Sequence, residues 1–208
     1  MPNSYTQLAA DNFTRANENP LSGGGKWSAI TITGFGAVQL LSNQVVPTVV
    51  NLQDNSAYTG IAWPNDQYAE IVVAADATGC TIGACCRMST GNMYYTQVVG
   101  PLGVGTATQY ISKYVANAGT NIVNIPVTLA VGSVVRLEVQ GTTLTAKING
   151  VTMLTTTDAS LASGSAGLFA FGTPGVANAA IAYWDAGSIT NIPGGGDLGP
   201  GYDLKFRM

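Results

Sequence analysis

The sequence predicts an all-β fold, a two-sheet antiparallel β-sandwich. Three observations carry that expectation. Val, Ile, Thr and Tyr recur in runs that alternate apolar with polar, Gly, Asn, Asp and Pro punctuate those runs, and no stretch keeps a helical period beyond two turns. At 208 residues the chain fits one large sandwich domain, and a hydrophobic fraction of 46% can supply its core.

Residues 1–26, closing on Gly23-Gly24-Gly25, read as an irregular opening segment. The sandwich proper is expected over 27–189. Its strands are expected near 27–33, 37–46, 57–63, 67–75, 80–89, 92–99, 106–115, 120–125, 133–140, 142–148, 151–155, 164–171 and 178–189. The clearest segment is Val134–Val151. Val135, Leu137 and Val139 alternate with Arg136, Glu138 and Gln140, and after a turn at Gly141 the inward set repeats as Leu144, Ala146 and Ile148. Asn149-Gly150 then supplies the dipeptide of a type I′ hairpin. Leu168, with Phe169 or Phe171, is expected to complete the core. Residues 190–208 form a Gly/Pro-rich linker followed by a short alternating strand, with Tyr202, Leu204, Phe206 and Met208 on one face. Three or four such side chains in water favour docking at an open sheet edge or in a groove, as an added strand on a neighbour; a disordered tail, or one folded against its own domain, is the alternative.

Charged residues are only 9% of the chain, the net charge is −3 and the eight basic residues are scattered, so there is no footprint for nucleic acid. No apolar run has the length of a membrane helix, and the first residues carry neither the basic nor the apolar region of a secretory signal. Cys80, Cys85 and Cys86 lack metal-site spacing and the chain has no His, which argues against zinc. A Cys85–Cys86 bond would be strained, because adjacent strand residues point to opposite faces.

Sugars are held by aromatic faces and planar polar groups. Alternation places Tyr110, Ser112 and Tyr114 on one face of their strand. Arg87, Tyr95 and Gln97 share a face if their strands pair in the expected sense, and Trp63 in Ala62-Trp63-Pro64-Asn65-Asp66 reads as a rim loop. The alternative is that these aromatics simply fill the sandwich.

Val134 to Gly150, then Asp158 and Leu161, Gly164-Ser165-Ala166-Gly167-Leu168 and Ala182-Tyr183-Trp184-Asp185 resemble the closing strands of concanavalin A-like lectin/glucanase domains, laminin-G-like jelly rolls above all. Asp11-Asn12-Phe13-Thr14-Arg15 with Trp27 is similar to the opening of bacterial and phage members. The resemblance implies a jelly roll of two packed sheets, with ligands on a concave face or its rim. It requires no cofactor, but implies room for a structural Ca2+ between the first and last strands, with Asp11 and Asp185 as matching carboxylates; a turn-capping Asp11 and a solvated Asp185 are the alternative.

Family hydrolases carry paired carboxylates as Glu-x-Asp-x-x-Glu, and this chain has no such spacing. Asp66 and Glu70 are the nearest pair, and Asp66 falls in a turn. The reading is therefore a non-enzyme: a jelly-roll surface protein for assembly or adhesion, a bacteriophage virion component at a head or tail, with protein neighbours engaged through the tail. The alternative is a secreted carbohydrate-binding module whose partners are surface glycans. Either places the chain on a virion surface or outside the cell.

Overall fold

The computed structural model describes residues 3–48, 53–75, 79–100, 107–172 and 180–191. The strands, in chain order, are β1 (Asn3–Asp11), β2 (Trp27–Ser28), β3 (Phe35–Leu41), β4 (Gln44–Pro47), β5 (Gln53–Tyr58), β6 (Gln67–Ala75), β7 (Thr81–Ser89), β8 (Asn92–Val99), β9 (Ala107–Val115), β10 (Ala118–Val127), β11 (Val134–Gln140), β12 (Thr143–Ile148), β13 (Val151–Thr157), β14 (Ser165–Phe171) and β15 (Ala180–Asn191). One layer runs β1-β15-β6-β11-β12-β13, with β4 joined to β15. The other runs β10-β9-β8-β7-β14-β5, with β2 joined to β5. β3 links them, antiparallel to β4 and parallel to β5, and it makes the one departure from antiparallel pairing among the described strands.

Register explains the core. Val135 lies between Ile71 and Ile148, Leu137 between Ala69 and Ala146, and Val139 between Gln67 and Leu144. Strand alternation turns all of these inward. Ile82, Ala84 and Cys86 of β7, Tyr94 and Val98 of β8, and Leu168 and Ala170 of β14 join the same buried cluster. Each of the larger apolar side chains so buried is worth roughly 1.5–3 kcal/mol. Asn149 and Gly150 take φ of 50° and 79°, the positive values that a type I′ turn requires. Across the layers, Trp184 Nε1 donates to Gly167 O at 3.0 Å, and its ring meets Trp27 at 4.6 Å and Tyr58 at 5.3 Å.

Several expectations need correction. The opening segment 1–26 contains β1, which pairs along β15 from Asn3↔Asn191 to Asp11↔Trp184. Its sequence, Asn-Ser-Tyr-Thr-Gln-Leu-Ala-Ala-Asp, is too polar to announce a strand, and the partner's open edge supplies the pairing. The run 37–46 is a hairpin of β3 and β4, turned at Ser42 and Asn43 with positive φ. The strand expected at 57–63 is Gln53–Tyr58, so it ends where that expectation begins. Phe169 is buried, but on the opposite face of its sheet, in a second cluster with Ile32, Ala57, Cys85, Met88, Met93 and Tyr95.

Candidate functional site

That second cluster marks the outer face of the β10-to-β5 layer, and the register sets its rows. Asn124, Tyr110 and Gln97 lie side by side across β10, β9 and β8, and continue to Gly83 and Phe169. The next row is Asn121, Ser112, Tyr95 and Cys85. Met93 and Tyr114 follow, with Gly119 beside them; a Cβ there would come within 2.8 Å of the Tyr114 ring. Alternation puts Tyr110, Ser112 and Tyr114 on one face of β9 and Tyr95 with Gln97 on one face of β8, and the register brings the two sets together. The sequence reading missed Asn121 and Asn124, because β10 carries exposed polar residues on both faces and only its register shows which side they take.

The face is cupped. Tyr114 Oη donates to Gln53 Oε1 at 2.9 Å although β8, β7 and β14 lie between their strands. Phe35 packs on Tyr114 and Phe169, with ring centroids 5.0 and 5.9 Å apart, and so roofs one end of the cup. The segment carrying Ile30 is held there by Asn55, which accepts from Ile30 N at 2.9 Å and donates to Ile30 O at 3.1 Å. Beneath this roof Tyr95 is buried, and burial together with the neighbouring Tyr114 pushes its phenol up. Among the described residues the other end is open. There Tyr110 and Gln97 are half-buried, Asn121 and Asn124 are exposed, and the Tyr110 hydroxyl carries no hydrogen bond among the described residues. Gln97 Nε2 donates to Ser112 Oγ at 3.4 Å, and Ser112 Oγ to Asn121 Oδ1 at 2.8 Å.

Trp63 and Arg87 do not join this face. Trp63 Nε1 donates to Tyr58 O at 2.6 Å and its ring packs against Tyr58 and Trp184, so it belongs to the core rather than a rim. Arg87 sits at a β-bulge between Cys86 and Ser89, with φ of 51°, and the bulge breaks the alternation that would have aligned it with Tyr95 and Gln97. Its buried side chain reaches the carbonyls of Asn65 and Leu161 instead.

Asp11 and Asp185 lie on neighbouring strands but face opposite ways. Asp11 is paired with Trp184 and Asp185 with Ala10, and adjacent residues of one strand point to opposite sides. Asp11 accepts from Arg15 Nη1 at 2.7 Å, Trp27 Nε1 at 2.8 Å and Phe13 N at 2.8 Å. The structure thus gives a shared Ca2+ no site between this pair, and no metal-binding group of acids, Cys or His occurs among the described residues. Asp185 instead sits beside Glu70 on β6, on the outer face of the other layer. Arg136 Nε donates to Glu70 Oε2 at 2.6 Å, and its guanidinium lies over Tyr68 at 4.3 Å and Tyr5 at 5.2 Å. Asp185 is 9% exposed, its Oδ1 has no partner, and burial plus the Glu70 charge push its carboxyl up to about 6.

Two acids distant in sequence therefore do meet, which spacing along one strand gave no means of seeing. Asp66 does lie in the turn before β6, where it accepts from Gly141 N at 2.7 Å. Cys80, Cys85 and Cys86 are buried and unbonded to one another. The tail residues Tyr202, Leu204, Phe206 and Met208 lie outside the described residues.

No family model and no curated protein matches the chain. Solved structures do. The carbohydrate-binding module CBM66 from Bacillus subtilis superposes with a TM-score of 0.56 at 12% identity, over 82% of this chain and 99% of that one. The Bacillus licheniformis β-glucanase gives 0.55 at 13%, over 88% and 97%. The exoplasmic/lumenal domain of VIP36, in its Ca2+/Man2-bound form, gives 0.53 at 10%, over 78% and 81%. The fold is the concanavalin A-like jelly roll. This jelly roll has glucanases and a transglycosylase among its structural neighbours, beside the carbohydrate-binding module and the VIP36 domain. The expectation of a non-enzyme is corrected on that finding: the fold this chain takes is shared with glucanases and a transglycosylase.

Proposed function

We propose that the chain binds carbohydrate on the open end of the cupped face, across β8, β9 and β10. The observation that carries this reading is the row Gln97–Tyr110–Asn124, a half-buried aromatic flanked on its own face by two planar amides. A tyrosine ring takes the C–H face of a pyranose, while amides both donate to and accept from hydroxyls in a fixed plane. Asn121, held by the buried Ser112 hydroxyl, extends the polar surface one row further, and Tyr114 and Tyr95 close the roofed end. The neighbourhood of a carbohydrate-binding module and of the Ca2+/Man2-bound VIP36 domain supports the same reading. The virion-component reading has no support among those neighbours and gives way to it. A module of this kind acts where glycans are displayed. The test is calorimetric titration with oligosaccharides selected on a glycan array, comparing wild type with Tyr110→Ala and Gln97→Ala.

A further inference from the structure

A second feature stands apart from the tyrosine face. Arg87 is 3% exposed, yet its guanidinium is only partly used. Nε donates to Asn65 O at 2.9 Å and Nη1 to Leu161 O at 2.7 Å, which fixes the plane of the group from two separate loops. Nη2 lies 3.6 Å from Asp66 Oδ1, beyond hydrogen-bond reach, and has no acceptor among the described residues. Asp66 Oδ1 is already taken by Gly141 N at 2.7 Å, and its Oδ2 is open in a side chain 41% exposed. Donor and acceptor both border a cleft of about 300 Å3, whose other walls include Thr142, Ala159, Leu161 and Ala162. That is the lower end of the range for small-molecule sites, roughly 300–1,000 Å3.

The arrangement is built rather than incidental. Arg87 holds a φ of 51°, a value uncommon for a residue with a side chain. Gly164 packs against its backbone so closely that a Cβ there would lie 2.4 Å from Arg87 C. The bulge withdraws Arg87 from the sheet face and aims it into the cleft.

We infer that this cleft binds one neutral saccharide unit through a vicinal diol, one hydroxyl accepting from Arg87 Nη2 and its neighbour donating to Asp66 Oδ2. An anion would meet the Asp66 carboxylate and a cation the Arg87 guanidinium, whereas adjacent hydroxyls complement both. The Ala159, Leu161 and Ala162 side chains offer the C–H face an apolar wall. This site does not depend on the tyrosine face, and the two fail separately.

The test is a set of 1H–15N spectra titrated with methyl glycosides of glucose, galactose, mannose and fructose, and with glucuronate. Neither variant alters a buried position: Asp66→Asn keeps an acceptor for Gly141 N, and Ala159→Trp fills the cleft. At least one methyl glycoside should shift the amides of Asp66, Gly141 and Thr142. Asp66→Asn should weaken that binding about tenfold or more, the loss expected when a charge-assisted hydrogen bond is removed. Ala159→Trp should abolish it, and Tyr110→Ala should leave it unchanged. Shifts confined to β8–β10, binding indifferent to both cleft variants, tighter binding of glucuronate, or no shift with any glycoside would each overturn the inference.

Discussion

Replacing Asp185 by Asn should stabilise the protein at neutral pH and leave it almost unchanged near pH 4. Asp185 is almost fully buried beside Glu70, with one oxygen unpartnered, and burial followed by the Glu70 charge lifts its carboxyl from the ordinary 3.8 to about 6. The folded state thus holds this proton more tightly than the unfolded chain does. Below the unfolded value both states are protonated and the group contributes nothing. As pH rises from about 4 to about 6, the unfolded chain ionises freely while the folded protein resists, and the fold is penalised. A rise of about two pH units corresponds to a penalty of up to about 3 kcal/mol, fully developed at pH 7. The amide of the Asp185→Asn variant cannot ionise and offers an N–H to Glu70 in place of the proton, so the penalty vanishes. Urea unfolding of both proteins at pH 4 and pH 7 reads the difference directly. The variant should be more stable by about 1–3 kcal/mol at pH 7 and by no more than about 0.5 kcal/mol at pH 4. A difference that is the same at both values, or a wild type that is the more stable at pH 7, would refute the reading of Asp185 as a buried carboxyl that resists ionisation.

Other outcomes follow from the same structure. Glu18 accepts from Arg15 Nε and from the amides of Ser22 and Gly23, and although burial opposes ionisation these partners hold its carboxyl at about 2. Its contribution is therefore present above pH 4.5 and lost as pH falls towards 2. Glu18→Ala should cost about 1–3 kcal/mol at pH 7 and flatten the acid limb of the stability profile, measured by urea unfolding from pH 2 to pH 7. Leu137→Ala, fully buried between Ala69 and Ala146, should cost about 2–5 kcal/mol by the same assay; a loss below about 1 kcal/mol would contradict the packing described.

What the sequence made legible was the periodic part. The meander from Val134 to Val151 alternates cleanly and ends in Asn149-Gly150, so local chemistry alone dictates its strands, turn and buried face. The same alternation grouped Tyr110, Ser112 and Tyr114, since residues two apart on a strand share a side. It failed where a long-range partner decides. β1 is a strand because β15 leaves an edge open to it, and its own residues would suit a loop equally well. Arg87 was misplaced by one bulge, which resets the parity of every residue after it and leaves no compositional mark. Glu70 and Asp185 meet only through the pairing of β6 with β15. Asp11 and Asp185 part for the converse reason: neighbouring strands brought their backbones together while the register turned their side chains apart.

Binding of an oligosaccharide to the cupped face tests the central claim most directly. Wild type and Tyr110→Ala would be titrated calorimetrically with the ligand chosen by a glycan array, and both would be melted to show that the half-buried Tyr110 is not needed for folding. Loss of one aromatic platform is expected to weaken binding by about 1–2 kcal/mol, roughly 5- to 30-fold, with the melting temperature nearly unchanged. Gln97→Ala should weaken it further when combined, since both residues lie in one row. Equal affinity in wild type and Tyr110→Ala, or no glycan bound by the wild type, would contradict the proposal that this face is a carbohydrate site.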